Sequence, residues 1–249
     1  MAFLVTAPVL VALGAALLAG LARGFSGFGA SLIFIPIAGA AIGPRVAAPV
    51  LLIVDAVLTL AMVPNAWRLC ERREVAVMLL GALVGVPVGT ALLATSDPVT
   101  VRWAVVALVF VLLSFLISGV RLVRAASAPV AIGVGAAAGF FSGLAQMGGP
   151  PVVAYWLGRA LPGATVRANL IVYFALSSVL SFASYLGAGL ITGEVVVLTV
   201  ATTPAYAAGL FAGARLFDRA SEVLFRRLCY GLIAAAALLS MPVLDGWLR

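Results

Sequence analysis

The chain alternates long apolar runs with short polar punctuation, and the runs have helix lengths. Those at 3–22, 46–63, 75–94, 101–120, 129–146, 166–190, 195–217 and 228–244 approach or exceed the roughly 20 apolar residues that cross a bilayer as a helix. Two others, 31–42 and 150–161, are too short to cross alone. No succession of ten-residue alternating strands is visible, so a β-barrel is not expected. The pattern predicts an all-α membrane protein, a polytopic helix bundle forming a single transmembrane domain over 1–249. Gly43-Pro44-Arg45, Ser96-Asp97-Pro98 and Pro162-Gly163 read as turns. Pro64-Asn65 is expected to end the third segment, ahead of a charged loop of Arg68, Glu71, Arg72, Arg73 and Glu74.

Two of the apolar stretches contain sequence that a helix cannot pass through smoothly. Gly148 and Gly149 weaken a helix, and Pro150 and Pro151 interrupt its hydrogen-bond ladder. The same prolines suit the first turn of a new helix, where their missing N–H groups are not needed. One helix should therefore end near Gln146 and a short one start near Pro150. The stretch from Gly20 through Gly24 and Gly29 to Ser31, followed by the short run 31–42, has the same form.

The resemblance extends along the chain. At a shift of about 119, Gly20, Gly24 and Gly29 fall on Gly139, Gly143 and Gly148, and Ser31 falls on Pro150. Further on, Arg45 falls on Arg167, Asp55 on Ser177, Glu74 on Glu194 and Gly89 on Gly209. This predicts two internal repeats, 1–125 and 126–249, each of about five segments with a broken or re-entrant helix pair. Positive charge at Arg68–Arg73, at Arg121 and Arg124, and at Arg215–Arg227 marks the cytoplasmic side. Glu74 and the 159–167 turn then lie inside, while Asp97, Glu194 and both termini lie outside. The repeats are expected to be inverted, the common architecture of secondary transporters.

Composition sharpens this picture. The chain is 65% hydrophobic and 9% charged, and carries a formal charge of +7 supplied only by arginine. The arginines sit mostly at segment ends, which suggests topology and snorkelling rather than nucleic-acid binding. The arginine-only usage fits a high-GC bacterial genome. There is no histidine, and Cys70 and Cys229 form neither a CxxC nor a metal spacing, so the expectation is no metal, no cofactor and free thiols. Gly24-Phe25-Ser26-Gly27-Phe28 departs from the serine-hydrolase elbow, no Walker motif is present, and no enzyme activity is expected. The first apolar run lacks a basic leader region and is expected to be retained.

Most glycines, Gly81, Gly85, Gly89, Gly209 and Gly213 among them, are explained by close helix packing. The two breaks are not, because open backbone at membrane depth is tolerated where it lines a cavity. A helix N-terminus attracts anions through its unpaired N–H groups and dipole. The candidate substrate site is therefore Ser26, Gly27, Phe28, Gly29 and Ser31 at the first break, and Gln146, Met147, Gly148, Gly149 and Pro150 at the second. Asn169 and Tyr173 complete it as neutral hydrogen-bonding groups. Asp55, the one acid well inside a span, either carries a coupling proton or neutralises an arginine, with Arg45 and Arg167 as charge partners.

At these residues the chain resembles the TauE/SafE family of bacterial sulfite exporter permeases. The resemblance rests on Gly24-Phe-Ser-Gly-Phe-Gly-Ala-Ser-Leu-Ile-Phe-Ile-Pro36 and on Gly139-x-x-x-Gly-x-x-x-x-Gly-Gly-Pro150. It implies transport of small sulfur-containing anions such as sulfite, sulfoacetate or other sulfonates by a multi-pass protein of the bacterial inner membrane, driven by an ion gradient. A channel or facilitator, and a non-transporting membrane partner subunit, are the competing readings. The expected partners are the lipid bilayer and a small anion, without nucleic acid; a homodimer is compatible with the pattern.

Overall fold

The apolar runs carry helices, but some bounds differ from expectation. The computed structural model describes residues 6–26, 29–119, 127–159, 161–217 and 222–244. The elements are α1 (Ala7–Ser26), α2 (Ala30–Ile42), α3 (Pro44–Thr59), α4 (Val63–Leu69), α5 (Arg72–Thr95) and α6 (Pro98–Ser118). They continue with α7 (Ala128–Ala145), α8 (Gly149–Leu157), α9 (Gly163–Gly187), α10 (Gly193–Phe217) and α11 (Glu222–Leu239). Helix α1 continues through Arg23 and Gly24 to Ser26, and α11 starts at Glu222 within the charged stretch. Of the expected 68–74 loop, Arg68 lies in α4 and Arg72, Arg73 and Glu74 in α5. No strand occurs among the described residues. Among the described residues, seven helical stretches are long and apolar enough to cross a membrane. Ala125, Arg121, Arg124, Asp218 and Arg219 lie outside the described residues.

Apart from α4, which a 3-10 turn joins to α3, the short helices are α2 and α8. At 13 and 9 residues and 1.5 Å per residue they measure about 20 and 14 Å, less than a hydrocarbon core of about 30 Å. Another expectation is corrected here. Pro64 does not end the third segment; it occupies the first turn of α4. A 3-10 turn, Leu60–Met62, links α3 to α4, so the apolar helical stretch runs from Pro44 to Leu69. A proline stops a helix or starts one with equal ease, since only the residues before it lose a donor or meet its ring.

Contacts gather the chain into two compact units. Unit 1 comprises Met1–Val54, Thr95–Ser114 and Leu190–Arg249; unit 2 comprises Asp55–Ala94 and Phe115–Gly189. Each unit has a seam of two helices brought together by glycine. In unit 1, Gly20 and Gly24 of α1 lie against the backbone of Tyr206 and Leu210, and Gly209 and Gly213 of α10 lie against Leu17 and Leu21. In unit 2, Gly81, Gly85 and Gly89 of α5 meet the backbone of Ile132, Ala136 and Phe140, while Gly135, Gly139 and Gly143 of α7 meet Met78, Ala82 and Val86. A Cβ at any of these positions would collide with main chain of the facing helix. Close approach of this kind replaces the hydrophobic driving force that lipid removes.

Polar cross-links fix helix ends within each unit. In unit 1, Arg45 donates from Nη2 to the Ser96 carbonyl at 2.8 Å. Buried Arg102 donates to the Ser240 carbonyl at 2.9 Å, beside a crevice of Ile35, Pro36, Gly39, Pro44 and Val105 with no room for a water molecule. In unit 2, the Glu71 N–H donates to Asn169 Oδ1 at 2.8 Å, and Arg159 pairs with Glu74 at 2.8 Å.

Candidate functional site

The second break is built inside unit 2 from the end of α7 and the start of α8. Gln146 caps α7 in the left-handed region, at φ 56° and ψ 29°. It is the one non-glycine residue with positive φ among the described residues, a conformation that costs roughly 1–2 kcal/mol without compensation. The compensation is local. Gln146 N–H donates to the Ser142 carbonyl at 2.9 Å, and Met147 N–H reaches back to the Phe141 carbonyl at 3.1 Å. The Gln146 side chain donates from Nε2 to the Ser142 carbonyl at 3.0 Å and to Tyr185 Oη at 3.1 Å. The buried Tyr185 hydroxyl lies 2.9 Å from the Gly143 carbonyl and 3.2 Å from that of Ser142, either of which accepts its proton. One tyrosine of α9 thus caps the open end of α7 and fixes the residue that reverses the chain.

The next two glycines differ in role. A Cβ on buried Gly148 would collide with Ser142 Oγ and the Ala138 carbonyl, so this glycine is demanded by packing. A Cβ on half-buried Gly149 would meet nothing within 4 Å. Gly149 begins α8, with Pro150 and Pro151 in the first turn. Those prolines remove two of the N–H groups that a helix start normally presents, so the end of α8 offers an anion its dipole and few donors. Buried Met147 and Pro150 wall the turn.

The first break belongs to unit 1. Ser26 closes α1 and Gly29, at φ 89°, precedes α2. A Cβ on Gly29 would have open space but a strained backbone. Ser31 is half-buried in the first turn of α2, where Ala30 and Ser31 keep their N–H groups. Gly27, Phe28 and the Ser26 side chain lie outside the described residues.

Asn169 and Tyr173 are fully buried on α9. The edge of Tyr173 meets Trp156 of α8 at 5.8 Å between centroids, and Trp156 meets Tyr155 at 6.1 Å. Trp156 Nε1 and Tyr155 Oη donate to the two carboxylate oxygens of Glu74 at 3.2 and 3.3 Å. Glu74 and Arg159 keep only 11% and 16% of their side-chain surface exposed. Asp55, half-buried near the end of α3, accepts from Thr59 Oγ1 at its carbonyl, 2.7 Å away. Arg167 is exposed in α9. Unit 2 therefore brings together Gln146, Met147, Gly148, Gly149 and Pro150, and sets Asn169 and Tyr173 on the helix that also supplies Tyr185. Tyr185 escaped the sequence reading, and Glu74, expected as a loop acid, is the centre of a part-buried polar cluster. The signal for Tyr185 is its spacing, since it continues the four-residue series of Asn169 and Tyr173.

Apolar helices, two of them short and beginning at glycine breaks, define a polytopic helical membrane protein. The chain matches the sulfite exporter TauE/SafE family over residues 12–240 and belongs to it. The family takes its name from sulfite export. No curated protein and no solved structure matches the chain.

Proposed function

We propose that this protein is a secondary transporter that moves small sulfur-containing anions, sulfite, sulfoacetate or other sulfonates, across the bacterial inner membrane at the expense of an ion gradient. One observation carries the proposal: the α7–α8 break is held open by design. An unfavourable left-handed glutamine is fixed by a buried tyrosine, and the glycine that follows Gly148 has free space in front of it. Strain that the surroundings over-determine points to function more than to packing.

In this reading the substrate sits at the start of α8 in unit 2, near Gly149 and Pro150; the start of α2 in unit 1, near Gly29 and Ser31, is a candidate break in its own right. The breaks would belong to inverted repeats 1–125 and 126–249, with Asp55, Arg45 and Arg167 tuning charge. Two observations support opposed repeats. In unit 2 the cross-links join Glu71 and Glu74 at the start of α5 to Asn169 near the start of α9 and to Arg159 ahead of it, ends expected inside. In unit 1 they join Arg45 to Ser96 and Arg102 to Ser240, all near ends expected outside.

The test is uptake of labelled sulfite and sulfoacetate by proteoliposomes under imposed proton and sodium gradients. Accumulation above equilibrium supports the proposal. Flux that only dissipates the anion's own gradient identifies a facilitator, and no flux above empty liposomes contradicts transport of these anions.

A further inference from the structure

A row of polar side chains follows a ridge of α9 at four-residue spacing, each step turning about 40° around the axis: Asn169, Tyr173, Ser177, Ser181 and Tyr185. All five are buried, at 3% exposure or less. Tyr185 is satisfied by the α7 break. The others are not: Asn169 Nδ2, Tyr173 Oη, Ser177 Oγ and Ser181 Oγ have no hydrogen-bond partner among the described residues. Tyr173 and Ser177 lie close enough to interact, yet neither hydroxyl reaches bonding geometry. Thr90 Oγ1, buried on α5 beside Gly143, is in the same condition.

Four orphaned groups along one ridge of one helix are hard to reconcile with a dry interior. Each would cost about 1–3 kcal/mol, and buried polar atoms in folded proteins almost always find a partner, with bound water as the usual remedy. The spacing fits that remedy. Four residues of helix rise about 6 Å, and a water making two hydrogen bonds of about 2.8 Å spans nearly that distance. One water per gap would join successive rungs. We propose that this row holds a single file of bound water through unit 2, and that the file is the route of the proton that drives transport.

The chemistry of the row favours a proton over other cargo. Its side chains are neutral, so nothing in it holds an anion or a metal ion by charge. A hydroxyl both accepts and donates, so it takes a proton from one neighbour and releases its own to the next. Only O–H bonds form and break, and the file resets when its hydroxyls rotate. Charged groups stand at the Asn169 end: Glu71, through its N–H on Asn169, and the Glu74–Arg159 pair behind Trp156. The other end is the Gln146 break, where Tyr185 meets the residues of the substrate site. A proton path ending at that break has the layout that coupling requires.

The proton role rests on the gradient-driven reading above; the water does not, and two measurements separate them. Hydroxyl-radical footprinting of the full chain in nanodiscs reports side chains that touch bound water. Tyr173 and Tyr185 should oxidise several-fold faster than Tyr206, which is equally buried in unit 1, and Ser177→Ala/Ser181→Ala should slow Tyr173. Equal rates at all three tyrosines would overturn the file. In proteoliposomes containing a pH dye, the double alanine variant should lose proton movement and gradient-driven accumulation of sulfoacetate while keeping sulfoacetate exchange. Ser177→Thr/Ser181→Thr should restore coupling. If the double variant does not reconstitute, Ser181→Ala alone goes through both readouts. Persistent proton movement in the alanine variants overturns the role. A wild-type protein that accumulates no sulfoacetate overturns the gradient-driven reading and the role with it, while the footprint still decides the water.

Discussion

Glu74 and Arg159 meet at 2.8 Å with most of their side-chain surface out of solvent. The same carboxylate accepts from Tyr155 and Trp156. Glu74 opens α5, where a negative charge also favours the helix dipole. Removing it leaves a buried guanidinium and two ring donors without an acceptor. Glu74→Ala should therefore cost about 3 kcal/mol, in the range for breaking a buried ion pair. The neighbouring Glu71→Ala, at an exposed side chain, should stay within about 0.5 kcal/mol. Chemical denaturation in detergent, monitored by tryptophan fluorescence, separates the two; equal losses would mean that the ion pair contributes nothing specific.

The glycine seams make a sharper contrast. A methyl on Gly85 would strike the Ala136 carbonyl, whereas one on Gly133 would meet nothing within 4 Å. Gly85→Ala should separate α5 from α7 and cut the yield of folded protein severely. Gly133→Ala, exposed on α7, should gain the ordinary helix preference of alanine, roughly 0.5–1 kcal/mol. Monodispersity by size-exclusion chromatography is the readout, and a well-folded Gly85→Ala protein would contradict the seam.

Gln146 offers a test of the break itself. Gln146→Leu keeps the left-handed backbone and discards both side-chain bonds while Tyr185 keeps its own bond to the α7 carbonyls, so it should lose about 1–3 kcal/mol from the two lost bonds and the unrelieved strain. Gln146→Gly removes the strain as well as the bonds and should lose less. Thermal unfolding of the two variants gives the order, and a Leu variant as stable as wild type would show that the turn needs neither bond.

The breaks were legible in the sequence because glycine and proline act on their own backbone: Gly148, Gly149 and Pro150 announce an ending and a beginning within a few residues. The starts of α2 and α8 fall within a residue of expectation for the same reason. Pro64 was misread because a stop and a first-turn proline look alike until the following helix is known. Glu74–Arg159 and Gln146–Tyr185 were not legible. Each joins helices far apart in the chain, and nothing local in a charged loop reveals that one of its acids turns inward. The α9 row could have been found by counting in fours, but whether hydroxyls along a span are satisfied depends on the facing helices.

Opposite orientation of the repeats is tested by labelling. With Cys70 and Cys229 replaced, Asp97→Cys should react with a membrane-impermeant thiol reagent from outside intact cells, and Arg219→Cys only after permeabilisation. Labelling of both from one side contradicts inverted repeats.

The central claim is that the α7–α8 break forms the path of the anion. Gly149 decides it, because a side chain there fills open space without disturbing packing. Sulfite and sulfoacetate flux into proteoliposomes should be lost in Gly149→Val, with yield and thermal stability unchanged, and retained in Gly163→Val, a glycine with equally open surroundings at the exposed start of α9. Wild-type flux through a stable Gly149→Val protein would place the path elsewhere.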